Sequence, residues 1–394
     1  PFCVSLQCGT ANAVEGVMSN EDFVASFDSI ALGLDNDFAT EADKRKGIKR
    51  GKEATEDLAA VLMSGNLTLI EYPKGCKDAS DMVVAGKSDE LAKLIQFGRV
   101  DFVAEKVVPA SSISKEDFKR KLVTGLMTGT FPKLDSKLNG FRNRELTVVT
   151  APSNVGKSTV TAIFAYRFIE QGERTGLIYL EENNDKTLKR IVAQRLKVPV
   201  KRFYADALGC GRSEAEVDSA YDWAVGSNKI FMVDHFGSLP IESLMRKIRY
   251  LVHVKGCTKI ILDHISLCIS GNKTNDERKD LDMVMTELAS FCAANEVHII
   301  VVSHINRTAD SFTAPKGKED EPFWVKVRKE TLRGSSSLEG LAWNILSVEP
   351  QVMPDRTRGN VRLVVLKNRE WDELGEADQF YINNETGEIV LVED

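Results

Sequence analysis

The nine residues APSNVGKST, Ala151–Thr159, constrain this chain more than any other feature, because they follow an apolar run, ELTVVTA (145–151), and open a helical stretch near 157–170. A loop between a buried strand and a helix turns backbone N–H groups toward an anion at the helix N-terminus. Read so, Lys157 reaches the β- and γ-phosphates of a nucleotide and the Ser158 hydroxyl ligates Mg²⁺, while Ser153, Asn154, Val155, Gly156 and Thr159 complete the cradle. Ala151 stands where the pattern GxxxxGK[ST] has its first glycine, and the bland alternative is a surface turn containing a glycine. The order strand, loop, helix favours the phosphate loop.

Around that loop the chain alternates apolar runs with helical stretches. TGLIYLE (175–181), KIFMVDH (229–235), KIILDHI (259–265), VHIIVVSHI (297–305), AWNILSVE (342–349) and VRLVVLKN (361–368) read as strands, with helices near 185–196, 213–226, 240–255 and 279–294. Near-continuous Val, Ile and Leu mark strands buried on both faces, as in a mainly parallel α/β sheet. QFYINNETGEIVLV (379–392) reads as a terminal hairpin. The first hundred residues carry weaker α/β patterning, with strands at 3–7, 29–35 and 67–73 and helices over 40–63 and 88–97. These divisions give a first domain over 1–97, a linker with one helix over 98–130 and a second domain over 131–394. The chain opens on Pro1 within a core-like strand, so the expectation is that sequence upstream is missing.

Composition narrows the function classes. At 394 residues and 43% hydrophobic, the chain is long enough for two cores. A net charge of −6 argues against a uniformly basic nucleic-acid coat and leaves any such contact to local loops. The seven cysteines form no CxxC pair or zinc-like cluster and read as buried small hydrophobes in a reducing compartment. No apolar run approaches the ~20 residues that span a bilayer, so the expectation is a soluble, intracellular protein without membrane contact.

Three strand ends carry acids or a base. KIILDHI delivers Asp263 where α/β sheets collect ligands, and a carboxylate there can hold Mg²⁺ opposite Ser158, although strand-end aspartates also cap turns. In TGLIYLEEN, Glu181 and Glu182 close the strand, and either can polarise a water unless the pair is only a solvated turn. His304 closes VHIIVVSHI and can sense a γ-phosphate or serve structure alone.

The ordered series APSNVGKST, YLEEN, KIILDHISL, VVSHINR, ETLRGSSSLEGLAWNILSVEPQ and VVLKNRE resembles the helicase motifs of the DnaB family, in particular those of the phage bifunctional primase-helicases and Twinkle. The resemblance covers residues 131–394. It implies a RecA-like P-loop ATPase core in a ring hexamer that hydrolyses ATP or a dNTP with Mg²⁺, translocates 5′ to 3′ on single-stranded DNA and works beside a replicative DNA polymerase. It further implies that Glu181 is the catalytic carboxylate, Asp263 the Walker B acid, His304 the phosphate sensor and Gln351 the conformational-switch glutamine. Lys367 and Arg369 fall where the family supplies an arginine finger to the neighbouring subunit. Asn306, Arg307, Arg333, Gly334 and Ser335 match the loops that line the channel and grip DNA.

The N-terminal segment resembles a partial TOPRIM domain of the same primase-helicases. Asp35 and Asp37 stand two apart in IALGLDND, a spacing that lets paired carboxylates share Mg²⁺ or else cap a turn, and Asp78 in PKGCKDASD matches the family's further acidic position. The family's metal-binding glutamate falls upstream of Pro1, which puts primase activity in doubt. Retained Asp35 and Asp37 favour a phage-infected host cytoplasm over a mitochondrial matrix. Alternatives are a RecA- or KaiC-like ATPase without helicase activity, a TOPRIM nuclease or topoisomerase, and a scaffold that keeps a nucleotide loop.

Overall fold

The computed structural model describes residues 4–5, 12–35, 50–62, 67–73, 75–101, 114–119, 121–152, 155–269, 277–304, 320–329 and 335–392. The chain forms two compact units, Pro1–Lys121 and Leu122–Asp394. Among the described residues no helix is long and apolar enough to cross a membrane.

The first unit holds a three-stranded sheet. β1 (Ile30–Leu32) runs parallel to β2 (Leu67–Leu69), and β3 (Val100–Asp101) pairs antiparallel with β2. The helix Arg50–Val61 buries Ala54, Leu58 and Val61, and the helix Ala13–Met18, which packs on it, buries both its ends. The helix expected over 88–97 is present as Ser88–Phe97. Of the strand expected over 3–7 only Val4 and Ser5 are described, and neither belongs to a strand.

In the second unit a ten-stranded sheet forms the core. Its strands are β4 (Leu146–Ala151), β5 (Thr175–Tyr179), β6 (Ile230–Met232), β7 (Lys259–Asp263), β8 (His298–His304), β9 (Phe323–Trp324), β10 (Asn344–Val352), β11 (Arg358–Asn368), β12 (Gly375–Ile382) and β13 (Ile389–Leu391). They lie in the order β13-β12-β11-β10-β4-β8-β7-β5-β6, with β9 against β10. The six strands from β10 to β6 are parallel, and β9, β11, β12 and β13 are antiparallel additions. Every residue of β4, β5 and β7 is buried, whereas β11 alternates toward solvent. Apolar side chains on both faces need cover, and the helices Lys157–Glu170 and Glu277–Ala294 pack on β4 and its neighbours. Phe131, Phe141, Phe164 and Phe168 interlock beneath the first of these helices.

The linker expected to reach residue 130 is shorter. Residues 122–130 fold with the second unit: Leu126 bridges Phe141, and the buried Asp135 carboxylate accepts from the N–H groups of Thr128 and Gly129. Gly125 and Gly140 approach so closely that a Cβ on either would meet the other's backbone at 2.5–2.6 Å. The helix read over 240–255 is α-helical over Ile241–Arg249 and continues as a π turn, Tyr250–Val254.

Candidate active site

β4 ends at the buried Ala151, which pairs with His304 of β8. Its backbone is still extended strand, so this position does not need the glycine of the consensus. The residue that does is Gly156, whose φ of +111° lies in the left-handed region and turns the chain into the helix Lys157–Glu170. Ser153 and Asn154 lie outside the described residues. Thr159 sits half-buried in the first turn, its N–H donating to the Gly156 carbonyl at 3.0 Å.

Lys157 is buried and its ammonium donates to the carbonyls of Ala151 and Pro152 at 3.3 and 3.2 Å. Burial pushes its pKa down, while Asp263 and Glu181 pull it back up. Asp263, the last residue of β7, is also buried. Desolvation raises its carboxyl, opposed first by the hydrogen bond that the Ser158 hydroxyl donates to it and then by His264 and Lys157. The loop after β4 and the end of β7 thus bring Ser158, Lys157 and Asp263 together.

The two glutamates after β5 separate cleanly. Glu182 is 9% exposed and spent on structure: Arg190 donates to it at 2.6 Å, the Thr187 hydroxyl at 3.0 Å, and Lys186 lies at 3.8 Å. Glu181 is 63% exposed, and its Oε1 meets His264 Nε2 at 2.9 Å. Of the two, Glu181 is the one whose carboxylate is open to solvent. His264 is itself a member of the site that sequence reasoning misses; its only signal is its place directly after Asp263. Its ring lies edge-on to that of His304, centroids 4.4 Å apart.

Gln351 lies near the end of β10, at the same end of the sheet as the phosphate loop, and its side-chain oxygen accepts from the Asn360 N–H at 3.4 Å. Lys367 and Arg369 lie elsewhere. The Lys367 ammonium donates to the carbonyls of Glu339 and Ala342, the latter at 2.7 Å, and Arg369 donates to Gly340 while stacking over Trp343 at 4.9 Å. Both cations thus cap the C-terminal end of the helix Ser335–Leu341. Burial and the Arg369 charge push the Lys367 pKa down to about 8.

Ser335 opens that helix; Arg333, Gly334, Asn306 and Arg307 lie outside the described residues. In the first unit Asp35 is exposed beyond β1, and Asp78 caps the helix Ala79–Val84 by accepting from the Asp81 N–H at 2.7 Å. Asp37 is not among the described residues. The described cysteines, Cys76, Cys210, Cys257, Cys268 and Cys292, are all buried and unpaired in disulfides, as expected of small core residues.

Comparison with known proteins matches residues 125–377 to the DnaB-like helicase C terminal domain. A DNA helicase/primase of Enterobacteria phage T3 is 29% identical over 390 residues, 98% of this chain and 64% of the relative. A replicative DNA helicase DnaB of Leifsonia xyli subsp. xyli is 24% identical over 66% of this chain and 55% of its own length. The chain thus spans under two thirds of either relative. Among solved structures, a DnaB-like replicative helicase described with its primase interactions superimposes with a TM-score of 0.58 at 16% identity, covering 80% of this chain and 73% of that one. A solved ATPase domain gives 0.56 at 18% identity, covering 68% of this chain and 92% of that domain. These likenesses establish a RecA-like ATPase fold for the second unit.

Proposed function

The chain belongs to the family of the DnaB-like helicase C-terminal domain, and on that footing we propose that it is the motor of a ring-forming replicative DNA helicase, coupling NTP hydrolysis to 5′ to 3′ translocation on single-stranded DNA and to unwinding. The observation that carries the reading is the convergence of Lys157, Ser158, Asp263, Glu181 and His304 at the C-terminal ends of β4, β7, β5 and β8, four neighbours in one parallel sheet.

The residues fit a nucleoside triphosphate. A buried ammonium hydrogen-bonded to neutral carbonyls gains from an arriving anion, and the left-handed Gly156 turns the chain into the helix whose N-terminus favours it. In this reading Lys157 grips the β- and γ-phosphates of ATP or a dNTP. Ser158 and Asp263 would hold Mg²⁺, which supplies positive charge against the phosphate oxygens. Glu181 takes the proton of the attacking water on a carboxylate oxygen, His304 contacts the γ-phosphate and Gln351 relays its loss toward the DNA loops. Asn306, Arg307, Arg333, Gly334 and Ser335 meet phosphates of the DNA strand through charge, N–H groups and hydroxyls. Arg369, with Lys367, serves the neighbouring subunit's nucleotide. Asp35, Asp37 and Asp78 belong to a TOPRIM-like unit. The protein acts in the cytoplasm of a phage-infected cell, beside a replicative polymerase.

The test is the NTPase rate with and without single-stranded DNA, measured together with the particle mass. DNA-stimulated hydrolysis in a hexamer-sized particle that opens a forked duplex is expected. Hydrolysis indifferent to DNA, or strand exchange without unwinding, would replace this reading by a KaiC- or RecA-like ATPase.

A further inference from the structure

One cluster in the second unit has more ligating power than phosphate hydrolysis requires. Glu181, His264 and His304 each offer a donor atom, and the three atoms lie within 4.8 Å of one another. The set is assembled from three different strand ends: the exposed turn after β5, the residue following β7 and the last residue of β8. His264 is buried, so one wall of the cluster is fixed, whereas Glu181 is exposed and free to close on an ion.

We propose that Glu181, His264 and His304 form a binding site for a borderline transition-metal ion such as Zn²⁺, separate from the Ser158 and Asp263 oxygens that suit Mg²⁺. Two imidazoles and a carboxylate are a donor set for Zn²⁺, Co²⁺ or Fe²⁺, whereas Mg²⁺ takes oxygen ligands in an octahedron. Around a tetrahedral ion with bonds of about 2.0–2.1 Å the donors stand roughly 3.3 Å apart, so the cluster must contract by at most about 1.5 Å. An exposed glutamate turn supplies that movement by a rotamer change. Coordination replaces the hydrogen bond between His264 and Glu181 with two bonds to the ion and leaves a fourth position for water. It also takes up the carboxylate that would otherwise receive a proton. Bound Zn²⁺ therefore stops hydrolysis, and extra Mg²⁺ does not relieve it.

The metal-binding half is independent of the helicase reading and is tested by titrating Co²⁺ into the metal-free, nucleotide-free protein. The expected result is one equivalent of cobalt with the intense visible d–d bands of tetrahedral coordination, displaced by Zn²⁺. Glu181→Gln and His264→Asn should abolish the bands, and His235→Asn, at a half-buried histidine outside the cluster, should keep them. Because Glu181 is exposed, its variant tests the site without threatening the core. Bands that survive Glu181→Gln in a folded protein, or no bands in the wild type, overturn the proposal. The inhibitory half, which rests on Glu181 as the base, is read from Mg²⁺-supported hydrolysis with added Zn²⁺ and then a chelator. Zinc that binds without slowing hydrolysis overturns that half alone, and absence of hydrolysis before zinc is added counts against the functional reading instead.

Discussion

A buried lysine is costly to keep charged, and Lys157 meets that cost with two loop carbonyls and the field of Asp263 and Glu181. Its removal relieves desolvation while deleting the phosphate contact. Lys157→Ala should therefore fold with a melting temperature at or slightly above the wild type, yet lose at least about a hundredfold in hydrolysis, the scale of one lost transition-state electrostatic contact. Retained hydrolysis in the folded variant overturns the phosphate-loop assignment. The adjacent glutamates give a paired test in which chemistry and stability part company. Glu181→Gln removes the exposed carboxylate and should abolish turnover with little change in stability. Glu182→Gln weakens the contacts to Arg190 and Thr187 and should cost roughly 1–3 kcal/mol, read from urea unfolding, with turnover of the remaining folded protein preserved. If the two variants exchange these phenotypes, the assignment of the base is reversed.

At the scale of elements, the parallel strands are locked at the end of the sheet away from the phosphate loop. His298, the first residue of β8, contacts the Arg142 carbonyl and the Thr147 hydroxyl of β4; Arg142 binds Glu145 at 2.6 Å, and Lys259 of β7 reaches Asn143. Burial, and then the Lys259 charge, push the His298 pKa down to about 3. The folded state thus holds this ring neutral where the unfolded chain, titrating near 6.5, protonates it. Stability is full above about pH 6.5 and falls as the pH drops toward 3, by up to about 1.4 kcal/mol per unit, or about 2 kcal/mol by pH 5. His298→Gln should flatten that part of the urea-midpoint profile; an equal slope in both proteins would show that another group carries it. This lock also marks the limit of what pattern reading yields. TVVT, LIY, IIL and IIVV are buried on both faces, and short unbroken apolar runs of this kind, alternating with helical stretches, identify β4, β5, β7 and β8. The helix Pro132–Leu138 escapes because seven residues with Leu134 and Leu138 as its buried apolar pair give too little period to detect. Glu181 and Glu182 cannot be told apart locally, since the distinction comes from Arg190 eight positions on and His264 eighty-three positions away. Strand-end acids are legible by position, but which of them faces the site is decided by partners that only the folded sheet assembles.

At the scale of the whole molecule, strand register limits what Arg369 can do. Its N–H donates to the Trp343 carbonyl at 3.0 Å, and the Trp343 N–H donates to Leu146 at 2.8 Å, so Arg369 is level with the start of β4. Ala151 and the phosphate loop lie five residues further along that strand, about 16 Å at about 3.3 Å per residue. The guanidinium sits at the end of the helix Ser335–Leu341, on the wrong end of its own sheet to touch its own nucleotide. Any direct contact it makes with a nucleotide must be with that of another subunit. Arg369→Ala should therefore assemble and bind nucleotide while hydrolysing it at least about 10³-fold more slowly, the scale of fingers in other phosphoryl-transfer enzymes. A purely structural arginine would also depress activity if its loss loosened the helix end, so the single variant does not decide the matter. Mixing does. Arg369→Ala subunits keep Glu181, and Glu181→Gln subunits keep Arg369. At interfaces where the second kind presents its arginine to the first, an intact carboxylate and an intact finger meet at one nucleotide. Hydrolysis should reappear on mixing and scale with the fraction of mixed interfaces. If subunit exchange is demonstrated and the mixture stays no more active than its two components, the arginine does not act in trans.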